Sequence, residues 1–309
     1  MKIVFFGTPA FAEGMLDALV SAGHEVVCAV TQPDKPVGRK QILTPPPVKT
    51  YALSHGIDVL QPEKLRNNPE FEAQYAAFGH EAAVVASYGK IVPAYVLHTP
   101  PRGCLNVHGS LLPDYRGAAP IQRAILEGRE KTGVTIMQMD EGIDTGDMLL
   151  AEEVEIGRDD TYAELHDKMV AVGRKLLVEA IEKIDSLTPG KQDDSLSRYA
   201  AKITDEDCLL DFSRSARAVH DNVRGLSPSP LAYAYLNGKK VKFVRTALAG
   251  DSSGRPGEVT EAGKKLVIAC GEGSIELLSL IPEGKKQMNA GDFVRGRNVA
   301  VGDVFTTSR

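Results

Sequence analysis

Short apolar runs separated by stretches of helical periodicity dominate the first half of this chain, and that alternation is the strongest constraint on its fold. KIVFFG (2–7), EVVCAV (25–30), IDVLQ (57–61), AAVVASYG (82–89), CLNVHG (104–109) and GVTIMQMD (133–140) each read as a buried strand. Between the first two, Phe11, Met15, Leu16, Leu19 and Val20 recur at helical spacing, with Thr8-Pro9 as a start signal and Gly23 as a stop. Strands alternating with helices predict βαβ units and a Rossmann-like, mostly parallel sheet of the α/β class. The first turn is GTPAFA, not GxGxxG, so it lacks the glycines that admit a dinucleotide pyrophosphate. A dehydrogenase is disfavoured on that ground.

Residues 161–186 predict one long amphipathic helix, buried along Leu165, Met169, Leu176, Leu177, Ala180, Ile181 and Ile184. The polar, Pro-Gly-containing stretch after it reads as a linker over 188–204. The pattern then changes. Asn237-Gly238 lies between alternating runs, a hairpin signal, and further short strands with glycine turns predict a small OB-like β-barrel over 205–309. The expected organisation is an α/β domain at 1–187, a linker, and a small barrel.

Charge follows this division. The net charge is −5, but residues 1–187 carry 18 Lys+Arg against 26 Asp+Glu, and residues 188–309 carry 18 against 15. An acidic body is joined to a slightly basic barrel, a balance compatible with nucleic acid and equally with an ordinary solvated surface. No apolar run approaches the ~20 residues of a membrane span. The start, MKIVFFG, is a strand and not a signal peptide. The four cysteines, Cys28, Cys104, Cys208 and Cys270, are widely spaced. A cytoplasmic protein with reduced thiols is expected.

Within CLNVHG, Asn106 and His108 are two residues apart, so they face the same way at the carboxyl end of a strand, where open parallel sheets bind ligands. The amide offers N–H donors that can polarise a carbonyl, and the imidazole can take or give a proton near neutral pH. A hydrogen-bonded core pair is the alternative reading. Downstream, MQMDEGIDTGDM (137–148) places Asp140, Asp144 and Asp147 in a glycine-flanked loop. One of these carboxylates reaching His108 would fix its tautomer. No histidine or cysteine spacing suits a metal, and HGSLLP is not the GxSxG of a serine hydrolase. The loop TQPDKPVGRKQILTPPP (31–47) is long, proline-rich and basic, as functional or disordered loops are.

LNVHGSLLPDYRGAAPIQRAI and TGVTIMQMDEGIDTGDML, with FFGTPAFA, QPDKPVGRK, ASYGKIVP and IPEGKKQM, resemble the 10-formyltetrahydrofolate-dependent formyltransferases, and within them the methionyl-tRNA formyltransferases. The resemblance covers essentially the whole chain. It implies formyl transfer from 10-formyltetrahydrofolate to the α-amino group of methionyl initiator tRNA, with residues 1–187 as the catalytic domain and the 205–309 barrel binding the tRNA. No metal and no membrane partner are expected from the residues, and a monomer is expected because the acceptor is bulky. The resemblance implies that Asn106, His108 and Asp144 are catalytic. It implies that Ser110, Leu111, Leu112 and Pro113, with Tyr88, Gly89, Lys90, Ile91, Asp140 and Ile143, bind the folate. Lys35, Arg39 and Lys40 of the basic loop would meet the acceptor stem. Lys202, Lys239, Lys240, Lys242 and Arg245 would track the tRNA backbone. The chain departs from the family near LSPSPLAY, where Ser227 and Ser229 replace aromatic residues, and it has no Trp. Rival readings are the same chemistry on a glycinamide ribonucleotide or an amino sugar nucleotide, which would need neither the basic loop nor the barrel, and a non-catalytic RNA-binding protein.

Overall fold

The computed structural model describes residues 1–309 apart from Arg39 and Ser252. The chain forms two compact units that interleave in sequence: Met1–Ala118, Thr132–Val154 and His166–Ala200 make the first, and Ala119–Lys131, Glu155–Leu165 and Ala201–Arg309 the second.

The strands of the first unit, in chain order, are β1 (Lys2–Gly7), β2 (Glu25–Val30), β3 (Lys35–Val37), β4 (Ile42–Thr44), β5 (Val59–Leu60), β6 (Ala82–Ala86), β7 (Cys104–His108), β8 (Arg116–Gly117), β9 (Lys131–Gln138), β10 (Met148–Glu155) and β11 (Tyr199–Ala200). Seven of them form one sheet in the order β10-β9-β7-β6-β1-β2-β5. β5, β2, β1, β6 and β7 run parallel, and β9 pairs antiparallel with β7, with Asn106 opposite Met137 and His108 opposite Thr135. β6 and β7 are buried at every residue, as expected where both faces of a parallel sheet are covered. This explains why β6 reads as an unbroken apolar run and makes the Asn106 and His108 of β7 stand out.

Two local expectations change. Thr8 does not cap the first helix (Ala10–Ser21), which starts from Pro9 without a side-chain cap. Its Oγ1 instead donates to the Tyr88 carbonyl at 3.2 Å and accepts from the Gln32 N–H at 3.4 Å, tying together the chain beyond β1, β2 and β6. The basic loop is also not structureless, since β3 and β4 pair as a short exposed ribbon. The long helix spans Tyr162–Glu182 and buries Leu165, Met169, Leu176, Leu177, Ala180 and Ile181.

The stretch read as a linker is fastened over most of its length. Met148 and Gly190 exchange two backbone bonds of 2.8 Å, and β11 pairs parallel with β8. Although most of its residues are exposed, it is tied to the first unit at these points.

The second unit carries β12 (Ala232–Leu236), β13 (Lys239–Gly250), β14 (Val259–Ala262), β15 (Leu266–Ala269), β16 (Ser274–Pro282), β17 (Met288–Asn289) and β18 (Phe305–Thr306). The order is β14-β15-β16-β13-β12-β18, with β17 on β16 and antiparallel pairing throughout. A bridge between Glu258 and Val304 brings the two ends of this path together, so the sheet curls into a barrel. Phe212, Phe243 and Phe305 meet in its core. Asn237 and Gly238 both take positive φ, 49° and 73°, the two-residue turn whose twist matches the strands β12 and β13. The early segments are integral to this unit. Arg123 grips both oxygens of Asp207 at 2.6 and 2.8 Å, and buried Arg224 binds Asp221 and the carbonyls of Gly157 and Asp160.

Candidate active site

β7 delivers Asn106 and His108 at its carboxyl end, only 7% and 6% exposed. Leaving either polar group buried and unpaired would cost roughly 1–3 kcal/mol, so their partners matter. Both find Asp144. Asn106 Nδ2 donates to Asp144 Oδ1 at 3.4 Å, and His108 Nδ1 lies 3.7 Å from Asp144 Oδ2. The second distance is an ion-pair separation and exceeds a hydrogen bond. The Gly117 backbone N–H also donates to Oδ2, at 2.8 Å. The three polar side chains singled out from the sequence therefore converge, although Asp144 comes from the turn between β9 and β10.

The partner that fixes the imidazole is not the one the sequence suggested. His108 Nε2 sits 3.0 Å from the carbonyl oxygen of Tyr115. A carbonyl can only accept, so this contact places a proton on Nε2. In the neutral ring this leaves Nδ1, facing Asp144, as the lone-pair nitrogen. Tyr115 itself has φ +58°, a conformation that turns its carbonyl onto the ring.

Asp144 too has a left-handed backbone, φ +54°. Gln192 holds it: Nε2 donates to the carbonyls of Asp144 and Gly146 at 2.9 and 2.7 Å. Its Oε1 accepts from Arg116 Nε and Nη2 at 3.0 and 2.8 Å, and Nη2 also reaches Asp194 at 2.7 Å. Neither Gln192 nor Arg116 was singled out from the sequence. A glutamine in a polar stretch, 48 residues from its target, carries no local signal.

The residues expected to bind folate divide into groups. Ser110 is fully buried. Its Oγ donates to the Asp114 carbonyl at 2.5 Å, and its own carbonyl accepts from Thr135 Oγ1, so its side chain shapes the SLLP turn. Thr135 Oγ1 also accepts from the Leu112 N–H. Leu112 is buried, while Leu111 and Pro113 are half-buried. Asp140 spends Oδ1 on its own loop, accepting from Gly142 N–H and Thr145 Oγ1. The Tyr88 ring points into the hydrophobic core and packs edge-on against Phe6, so only its backbone faces the strand ends. Gly89 is exposed beside it. Lys90 Nζ binds the carbonyls of Pro62 and Glu63, and burial together with the nearby Lys35 charge holds its ammonium below the usual range. Ile91 and Ile143 are exposed at 69% and 58%, available as apolar contacts.

Of the residues expected to meet nucleic acid, Arg39 lies outside the described residues. Lys35 and Lys40 are exposed on the β3–β4 ribbon, and Lys35 Nζ donates to Gln32 at 2.7 Å. Lys202 and Lys239 are exposed, Lys240 and Lys242 half-buried. Lys240 Nζ stands 3.4 Å above the Tyr233 ring, a cation–π geometry. Tyr233 and Tyr235 oppose Lys242 and Lys240 across the hairpin, giving a face where cations and aromatic rings alternate. The AYAYL alternation is the sequence signal for these two rings. Arg245 is partly committed, 3.5 Å from Glu164. Among the described residues no group of three or more His, Cys, Asp or Glu is placed to hold a metal, and no helix is long and apolar enough to cross a membrane.

Residues 1–181 match the formyl transferase family and residues 202–298 the formyl transferase C-terminal domain. The methionyl-tRNA formyltransferase of Bacillus subtilis is 46% identical over 98% of this chain and 97% of its own length. That of Cereibacter sphaeroides is 45% identical over the full length of both. In fold, the chain is similar to an N-formyltransferase from Helicobacter canadensis solved with folinic acid and dTDP-3-aminofucose, with a TM-score of 0.68 at 20% identity, over 90% of this chain and 98% of that one.

Proposed function

The chain belongs to the methionyl-tRNA formyltransferase family, and on that premise we propose that Asn106, His108 and Asp144 act as one catalytic unit in its reaction. The enzyme transfers the formyl group of 10-formyltetrahydrofolate to the α-amino group of methionyl initiator tRNA, which readies it for translation initiation. The folate supplies an acylated nitrogen that leaves once it is protonated. The side chains fit that chemistry. Asn106 Nδ2 offers an N–H to the formyl oxygen as negative charge develops there. His108 Nδ1 accepts the proton shed by the attacking amine and later returns it to the leaving nitrogen. The imidazolium formed between these steps lies between the Tyr115 carbonyl and the Asp144 carboxylate.

In this reading residues 1–187 perform the transfer and residues 205–309 bind the acceptor. The SLLP turn, the backbone at Tyr88 and Gly89, and Ile91 and Ile143 border the folate, with Asp140 shaping the loop beside it. Lys35, Arg39 and Lys40 meet the acceptor stem, where a weakly paired first position is cheap to open. Lys202, Lys239, Lys240, Lys242 and Arg245 meet phosphates, and Tyr233 and Tyr235 add ring surface between them. Four free, buried cysteines suit a reducing cytoplasm, and a monomer leaves the bulky acceptor unobstructed.

The observation that carries the proposal is the meeting of two side chains from β7 with one carboxylate from a separate segment. Purified protein given labelled 10-formyltetrahydrofolate and methionyl initiator tRNA should yield formylmethionyl-tRNA. Asn106→Ala, His108→Ala and Asp144→Ala should each slow single turnover by about 100-fold or more, with donor affinity little changed. A His108→Ala enzyme at near-normal rate removes the proton relay.

A further inference from the structure

Resting on the formyl-transfer reading above, we propose that Gln192, itself held by Arg116, is a positioning residue that sets the Asp144 carboxylate for the reaction. The contacts form a closed ring. The Asp144 carbonyl accepts from Gln192 Nε2, Gln192 Oε1 accepts from the Arg116 guanidinium, and Arg116 is followed by Gly117, whose N–H donates to the Asp144 carboxylate. Asp144 is thus gripped at its backbone and at its side chain by one connected set of groups.

The amide of Gln192 is fully used. Its nitrogen has two hydrogens, which go to the carbonyls on either side of the Asp144 turn, at Asp144 and Gly146. Its oxygen takes two guanidinium N–H groups. A non-glycine residue at φ +54° persists only where its surroundings hold it there. Here Gln192 is the side chain that does so. Neither Gln192 nor Arg116 is in contact with Asn106 or His108 through any of these bonds, so their effect passes through Asp144.

A purely structural role, fastening residues 188–200 to the sheet domain, makes a different prediction. That fastening is already provided by the Met148–Gly190 backbone pair and the β8–β11 pairing. Removing the Gln192 amide would then leave the segment attached while releasing the turn.

The test uses the full-length chain with Gln192→Met, which keeps length and removes every hydrogen bond, and Gln192→Glu, which keeps an acceptor for Arg116 and removes both donors. Single-turnover formylation of methionyl initiator tRNA should slow by about tenfold to a hundredfold in both, since small misplacements of a catalytic group cost that much. Tetrahydrofolate affinity and thermal midpoint should hardly move. In an Asp144→Asn background, Gln192→Met should cost less than about twofold more, because the two residues act in series. Wild-type rates in both variants overturn the inference, as does an equal loss with and without the Asp144 carboxylate. A collapse of the thermal midpoint also overturns it, by making Gln192 a fastening of the fold. A wild-type chain that formylates nothing overturns the formyl-transfer reading and this inference together, whereas an active wild type with unaffected variants overturns the inference alone.

Discussion

His108 has its tautomer set by the Tyr115 carbonyl, with the Asp144 carboxylate near its other ring nitrogen. Of these two neighbours the sequence disclosed only the carboxylate. The spacing of Asn106 and His108 is legible because a strand alternates its faces. The Tyr115 carbonyl is not, since it depends on where a turn seven residues downstream folds back. A second histidine illustrates the opposite environment. His80 is 4% exposed, stacks edge-on against Tyr75, and has no hydrogen-bond partner at either ring nitrogen among the described residues. Burial pushes its pKa down from 6.5 to about 4. Between those two values the unfolded chain binds a proton that the folded chain refuses, so stability is intact above pH 6.5 and declines as the pH falls toward 4. Urea unfolding at pH 7.5 and pH 5 should show wild type losing about 2 kcal/mol more than His80→Leu. Parallel losses in the two proteins would dismiss His80 as the cause.

At the scale of elements, strands β1, β2, β6, β7 and β9 and the Asn237-Gly238 hairpin were legible from periodicity and turn chemistry. The short pairs β3–β4 and β8–β11 were not. Each strand there has two or three residues, too few for an alternation to register, and the first pair contains Pro36. Yet β8–β11 is where the carboxylate is anchored. Gly117 has φ +115°, and a Cβ there would lie 2.8 Å from the Tyr199 ring and 2.9 Å from the Ala200 carbonyl. The backbone oxygen cannot swing aside as a flexible side chain would. Gly117→Ala should therefore cost about 1–3 kcal/mol of stability through strain. By shifting the N–H that binds Asp144, it should also slow transfer by about tenfold. Thermal melting and single-turnover rates check both parts, and a variant normal in each would show that β8 has room to adjust.

Taken whole, the molecule carries a net charge of −5 and must still engage a polyanion. The proposed answer is local: cations on the ribbon, within the acidic part of the chain, and on the β12–β13 hairpin, in the part whose balance is positive. Binding of methionyl initiator tRNA should weaken with salt, and replacing Lys239, Lys240 and Lys242 together by alanine should reduce the slope of log affinity against log salt by about 2–3. An unaltered slope would take the hairpin out of the interface. The change from α/β alternation to short antiparallel strands near residue 205 was readable from the pattern. The interleaving of the two units was not, because Pro120–Leu126 and residues 155–165 read as ordinary parts of the α/β alternation, and what ties them to the barrel is long-range: Arg123 on Asp207, Arg224 on the Gly157 and Asp160 carbonyls, and Arg245 beside Glu164 among them. Lineages that trade such barrels by recombination at a single joint would therefore inherit a mismatched socket. A productive exchange has to import three stretches of gene, so the acceptor specificity of this architecture evolves in place more readily than by borrowing.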